Sequence, residues 1–333
     1  MKKIFRKRIA AGLLCSGLLV WGAGEGTAYG AYVNPFTATP SINLSAAETA
    51  AYLEQKTREM FSGAPVRKEE PYVAPAGWRQ DVTSLSYVRL EKYTSRKRST
   101  DKVILQLHGG GYIQGNHNRH RDWAIARSES IGHADVYMLN YRFYPEAKYP
   151  AALEDAVAAY QELLRQKISA NNIIVMGDSA GGNLALALAL YLRDQKIPQP
   201  GSLILYSPWG DAGQLPSRSI YREKDVILGE RNAAMYPVVM NNAYYFAGSD
   251  LRTPYISPVY GDFAGLPPML IIAGAQELLV DDCCLLAQRG KEAGVEVELH
   301  LYPGMSHDWP LLFPELSESK DTYAVLAKFI EAH

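Results

Sequence analysis

The stretch Gly177-Asp178-Ser179-Ala180-Gly181-Gly182 limits what this chain can fold into more than any other. Before it runs Asn172-Ile173-Ile174-Val175-Met176, a short apolar run rich in β-branched residues that reads as a buried strand. After it comes a run of Leu and Ala from Asn183 to Leu192 that reads as a helix. Ser179 therefore sits on a strand-to-helix turn. A turn this tight leaves no room for a side chain two residues before or after the serine, and G-x-S-x-G spacing puts glycine at both places. The consequence is chemical: the serine oxygen is lifted clear of the sheet edge. The N–H of Ala180, at the helix start, points toward charge developing on a bound carbonyl. An ordinary strand–helix turn accounts for the same residues, so the rest of the chain has to supply a base, an acid and further oxyanion donors.

Strands and helices alternate from Asp81 onward. Strands are expected at Leu85–Tyr93, Lys102–Leu107, Ala134–Asn140, the run before Ser179, Leu203–Tyr206, Met269–Ala273 and Val295–Leu301. A helix from about Tyr149 to Gln166 and a C-terminal helix fall between and after them. Alternation of this kind implies a mostly parallel sheet covered on both faces. With 47% of its 333 residues hydrophobic, the chain can fill one large α/β core with an accessory part. Its formal net charge of −1 gives no electrostatic basis for binding nucleic acid or an acidic membrane surface. Of the three cysteines, Cys15 lies in the N-terminal apolar segment. Cys283 and Cys284 are neighbours on an expected helix, point in different directions and read as packing residues. No metal-ligand spacing is present, and no cofactor is called for.

Two regions stand outside the alternation. Residues 1–30 read as a signal peptide: Lys2, Lys3, Arg6, Lys7 and Arg8, then an apolar stretch from Ile9 to Trp21, then Ala28-Tyr29-Gly30. This implies a secreted or cell-envelope protein, with an uncleaved anchor as the alternative. Residues 31–333 form the main domain. Within it, residues 35–75 carry a capping box at Ser45-Ala46-Ala47-Glu48 followed by a helix to about Phe61. Residues 211–256, rich in Tyr, Asn and Met, are an insertion after a core strand with a helical stretch expected near Arg231–Phe246. The two segments read as the parts of a lid.

The chemistry gathers at strand ends. His108-Gly109-Gly110-Gly111-Tyr112 directly follows the second strand, and consecutive glycines let N–H groups point together at a ligand. Gly110 and Gly111 are the expected oxyanion donors, with Ala180 as the third, while His108 orients the loop. The base is expected on a late loop, where Tyr302-Pro303-Gly304-Met305-Ser306-His307 places His307. His300 alternates with Glu296 and Glu298 and reads as a surface residue. His117, His120 and His133, in Asn- and Arg-rich surroundings, read as solvent-exposed. For the acid, Glu277 stands at the carboxyl end of the sixth strand, where sites of open α/β sheets gather, and Asp281 one helical turn later is the rival. Either gives the order Ser, acid, His.

At this point the chain resembles the hormone-sensitive-lipase-like family of esterases and lipases, from about Leu44 to the C-terminus. His108–Tyr112 matches the H-G-G-G motif, and Gly177–Asn183 matches G-D-S-A-G-G-N. Tyr141-Arg142-Phe143-Tyr144-Pro145-Glu146, Ser207-Pro208-Trp209-Gly210-Asp211 and Gly265-Leu266-Pro267-Pro268 resemble further family stretches. Many members carry D-P-L-x-D where this chain has Glu277-Leu278-Leu279-Val280-Asp281. Matching residue by residue puts Glu277 at the acid and Asp281 at a second, non-catalytic carboxylate. The resemblance implies an α/β-hydrolase fold with an eight-stranded sheet and a helical lid.

The resulting expectation is a serine carboxylesterase in which Ser179, His307 and Glu277 are catalytic and Gly110, Gly111 and Ala180 form the oxyanion hole. Tyr112 and Trp209 are placed in the substrate pocket. Large tyrosine rings (Tyr112, Tyr221, Tyr236, Tyr244, Tyr245) imply a narrow pocket, and family analogy implies short acyl chains. A peptidase of the same fold and a catalytically silent binding scaffold are the rival readings. The partner is a small-molecule ester, with no nucleic acid and no metal; a homodimer stands open beside a monomer.

Overall fold

The computed structural model describes residues 32–62, 69–213, 215–233, 235–240 and 244–333. The expected signal segment lies outside the described residues. Eight strands make one sheet: β1 (Trp78–Leu85), β2 (Val88–Ser95), β3 (Val103–Leu107), β4 (Asp135–Asn140), β5 (Ile173–Asp178), β6 (Ser202–Tyr206), β7 (Met269–Gly274) and β8 (Val297–Tyr302). Their spatial order is β1-β2-β4-β3-β5-β6-β7-β8. The β1–β2 and β2–β4 pairs are antiparallel and all others parallel. In β3, β5, β6 and β7 every residue is buried, which is why these strands read as unbroken apolar runs.

The helices are α1 (Pro35–Ala38), α2 (Ala46–Met60), α3 (Asn118–Ser130), α4 (Ala151–Arg165) and α5 (Ala180–Asp194). They continue with α6 (Ser217–Ile220), α7 (Tyr236–Met240), α8 (Val280–Glu292), α9 (Trp309–Leu312) and α10 (Ser317–Ala332). One group packs α3 against α1 and α10. The other packs α4 against α5, while α5 and α8 both meet the 3-10 turn Pro258–Tyr260. The result is an α/β-hydrolase fold. At α2 the capping box forms as its sequence requires, the Ser45 hydroxyl accepting from Glu48 N–H and the Glu48 carboxylate accepting from Ser45 N–H.

Two sequence expectations change. The strand read from Leu85 begins at Val88, because Ser86 and Tyr87 form the turn of a hairpin whose first arm is β1. That arm is mostly exposed, so it lacks the apolar alternation that marks a strand in sequence. The helix expected near Arg231–Phe246 shrinks to Tyr236–Met240. Pro237 lacks an N–H and belongs at a helix start, and residues 244–247 are bends and turns.

Cys283 and Cys284 are both free thiols, the first buried and the second half-buried. Among the described residues no helix is long and apolar enough to cross a membrane.

Candidate active site

The elbow is enforced by close backbone approach. A Cβ on Gly177 would lie 2.3 Å from Gly181 O, and one on Gly181 would lie 2.1 Å from Leu107 O at the end of β3. Only glycine lets the start of α5 sit this close to the neighbouring strand. Ser179 then takes φ 52°, ψ −117°, a conformation that L side chains rarely adopt. It is held there by Ser179 N–H donating to Tyr206 O (2.9 Å) and by its own carbonyl accepting from Trp209 N–H (3.1 Å). The strain sits on the residue expected to be the nucleophile, and β6 and its following loop hold it.

The glycine loop is fastened to the elbow by a residue that sequence reading passed over. Asp178 Oδ2 accepts from Gly109 N–H at 2.9 Å, and Asp178 is buried. His108 is fully buried, stacks on Tyr141 with ring centroids 4.1 Å apart, and its Nδ1 lies 2.8 Å from Gly109 O. Burial pushes its imidazole down to about 3, so His108 is neutral and donates from Nδ1. It holds the loop, as expected. Among the described residues the N–H groups of Gly110, Gly111 and Ala180 donate to no protein acceptor. Gly110 and Gly111 line the same cleft as Ser179.

His307 lies in that cleft, on the loop between β8 and α9. Glu277, just past β7, is fully buried, and its Oε1 is 3.6 Å from His307 Nδ1, an ion-pair separation rather than a hydrogen bond. Two donors fix the other oxygen: Ser207 Oγ at 2.7 Å and Gly274 N–H at 2.9 Å. Ser207 Oγ also accepts from Asp308 N–H at 3.2 Å, which joins Glu277 to the histidine loop. Burial raises the Glu277 carboxyl above its ordinary range, and His307 and Ser207 pull it back. Asp281 faces elsewhere: its Oδ2 accepts from Ser217 N–H at 2.7 Å, at the start of α6. Asp282, beside it, is buried against Arg218 and accepts from the N–H groups of Gly210 and Asp211.

The other nitrogen of His307 has a partner that sequence reading missed. Nε2 lies 3.0 Å from Asp308 Oδ2. Neighbouring side chains in a loop normally diverge, but Asp308 is left-handed (φ 50°, ψ 29°) and this brings its carboxylate round to the ring. Burial alone would disfavour the imidazolium. The charge and hydrogen bond of Asp308, with those of Glu277, outweigh it and raise His307 well above the usual imidazole range.

The cleft has a volume of about 90 Å³. Trp209 lines it, as expected, together with Met60 and Phe61 at the end of α2 and Ile227, Val238 and Leu311. Tyr112 is not in its lining: the ring is buried, stacks on Tyr245 at 4.6 Å, and its hydroxyl donates to Asn183 Oδ1 at 2.7 Å. The walls are thus largely apolar, and among the described residues no tyrosine lines them. His117 and His120 do line the cleft, His120 being buried, contrary to the solvent-exposed reading. Their spacing of three at the start of α3 puts them on one helical face, a signal the polar surroundings mask. His300, half-exposed and 3.1 Å from Glu298, is the surface residue expected.

A family model described as alpha/beta hydrolase fold matches residues 104–311. The chain belongs to the alpha/beta hydrolase family. Within it, this hydrolase is 36% identical over 251 residues to an acetyl-hydrolase of Streptomyces hygroscopicus, covering 75% of this chain and 82% of the relative. An esterase/lipase structure from an uncultured bacterium superposes with a TM-score of 0.75 at 32% identity, over 85% of this chain and 98% of that one. An esterase of the bacterial hormone-sensitive lipase family superposes with a TM-score of 0.71 at 30% identity, over 90% and 94%. The hydrolase is therefore a carboxylic ester hydrolase of the hormone-sensitive-lipase type, and the silent-scaffold reading falls away.

Proposed function

We propose that this esterase hydrolyses short-chain carboxylic esters through a Ser179–His307–Glu277 triad and an acyl-enzyme. The supporting observation is the approach of Glu277 to His307 Nδ1 at 3.6 Å, with the acid buried and held from two sides, in the cleft that Ser179 and the glycine loop share. Asp281, bonded to Ser217 instead, is the non-catalytic carboxylate.

In the reaction Ser179 Oγ attacks the ester carbonyl while His307 Nε2 takes its proton. The carbonyl oxygen becomes an oxyanion that accepts from Gly110, Gly111 and Ala180 N–H. The C–O bond to the alcohol breaks, and the imidazolium returns its proton to the leaving oxygen. Water, deprotonated by the same nitrogen, then attacks the acyl-enzyme and releases the acid and Ser179. Glu277 orients the ring and supports its cation.

Residues 35–75 and 211–256 act as the lid, contributing Met60, Phe61, Ile227 and Val238 to the apolar walls. The small volume, rather than tyrosine rings, limits the acyl chain. A panel of p-nitrophenyl esters tests this: kcat/KM should peak between acetyl and hexanoyl. A maximum at dodecanoyl or longer would remove the short-chain reading. Residues 1–30 direct export, and the mature protein should begin near Ala31; exported protein retaining Met1 in its mass would point to an anchor.

A further inference from the structure

Asp308 faces the one nitrogen that has to serve the substrate. Its Oδ2 is 3.0 Å from His307 Nε2. Its other oxygen, Oδ1, is buried and has no hydrogen-bond partner. The residue is 6% exposed and lines the cleft with Ser179. The second carboxylate of the cleft, Asp178, has both oxygens engaged, by Gln106 Nε2 and Gly109 N–H. Asp308 is therefore the carboxylate of the cleft with acceptor capacity to spare. It is also fixed in place, because Ser207 holds its N–H and the N–H groups of Leu311 and Leu312 donate to its carbonyl.

A buried carboxylate oxygen without a donor is costly, and a bound ligand that offers a donor removes the cost. Where that donor must sit follows from the triad reading, on which this inference rests. His307 Nε2 protonates the alkoxyl oxygen of the departing alcohol, so a group beside Nε2 is beside the alcohol and not beside the acyl chain. A hydroxyl on the carbon next to the alkoxyl carbon lies within about 3 Å of the ester oxygen, the reach of a hydrogen bond. It falls where Asp308 can accept from it.

We infer that Asp308 is a specificity-determining residue that accepts a hydrogen bond from a hydroxyl vicinal to the ester oxygen. The substrates this site favours are partial esters of polyols, with a short acyl group in the apolar cleft and a free hydroxyl on Asp308.

The experiment compares 2-hydroxyethyl butyrate with 2-methoxyethyl butyrate, which keeps the oxygen and loses the donor. A hydrogen bond to a charged acceptor predicts a kcat/KM ratio of about 10–100 in favour of the hydroxyl ester. Asp308→Gly removes the carboxylate and suits a left-handed backbone, and it should bring the ratio close to one. Asp308→Asn, which keeps a neutral acceptor of the same shape, should give a ratio between the two. Loss of methoxyethyl ester turnover in Ser179→Ala checks the triad reading in the same assay, so a failure there is distinct from a failure of Asp308. A wild-type ratio near one, or a wild-type ratio retained by Asp308→Gly, would overturn the inference.

Discussion

Ser207 donates its hydroxyl proton to Glu277 Oε2 at 2.7 Å. Ser207 Oγ itself accepts from Asp308 N–H at 3.2 Å, so one hydroxyl spans Glu277 and the loop that carries His307. Ser207 itself sits at φ 43°, on the turn that leaves β6. The turn that supports the Ser179 backbone through Tyr206 and Trp209 thus also holds Glu277. Ser179, Glu277 and the His307 loop are referred to one strand end.

Ser207→Ala should act on turnover more than on binding. It leaves a buried carboxylate oxygen short of a donor, a loss of about 1–3 kcal/mol. Because that oxygen belongs to the residue that orients His307, kcat should fall by about 10–100-fold with KM little changed. Steady-state kinetics with urea unfolding of the same preparation separate this from simple destabilisation. An unchanged kcat in a less stable protein would make Ser207 a packing residue only.

Glu277→Gln and Asp281→Asn should differ sharply. Losing the acid leaves the imidazole misoriented and its cation unsupported, a cost of about 10⁴ in turnover where such a residue has been removed. Asp281 accepts from Ser217 N–H at the start of α6, so its loss should fall mainly on stability. Both variants are to be assayed at equal folded concentration; an inactive Asp281→Asn beside an active Glu277→Gln would reverse the assignment.

The pH profile follows from the two carboxylates around His307. A general base must be neutral, and Asp308 and Glu277 hold the imidazole in its charged form to higher pH than usual. The kcat/KM should therefore rise with pH through an apparent pKa above the ordinary histidine value of about 6.5. Asp308→Gly removes one of the charges that raise it, and the acid limb should move to lower pH. Profiles of the two proteins on one p-nitrophenyl ester check the sign. An acid limb unmoved in the variant would mean that Asp308 does not set the protonation of His307 during turnover.

Much of this architecture is legible in the chain because it is local. A strand–turn–helix with glycine at fixed offsets can be read at Ser179, and so can a glycine run ending β3 at Gly109, Gly110 and Gly111. Glu277 and His307 are legible by position: Glu277 follows the fully buried strand β7, and His307 follows β8 and a Pro-Gly turn. What the sequence hides depends on contacts across the sheet or on special backbone. Strand β1 is an exposed edge and carries no apolar signature. Tyr112 follows the glycine loop and looks like a pocket residue, yet a positive φ turns it inward onto Tyr245. Asp308 looks like an ordinary neighbour of the histidine until its left-handed backbone is seen. Asp178 and Ser207 gain their roles from partners 69 and 70 residues away, which no local pattern shows.

The central claim is that Ser179 is the nucleophile. A fluorophosphonate should add to the wild-type protein with one adduct, located by mass spectrometry on Ser179, and ester turnover should stop in proportion. Ser179→Ala, folded as judged by its unfolding curve, should take up no label and lose turnover by about 10⁶-fold. A folded Ser179→Ala that still hydrolyses p-nitrophenyl butyrate at near wild-type rate, or a wild-type adduct on another residue, would contradict the account.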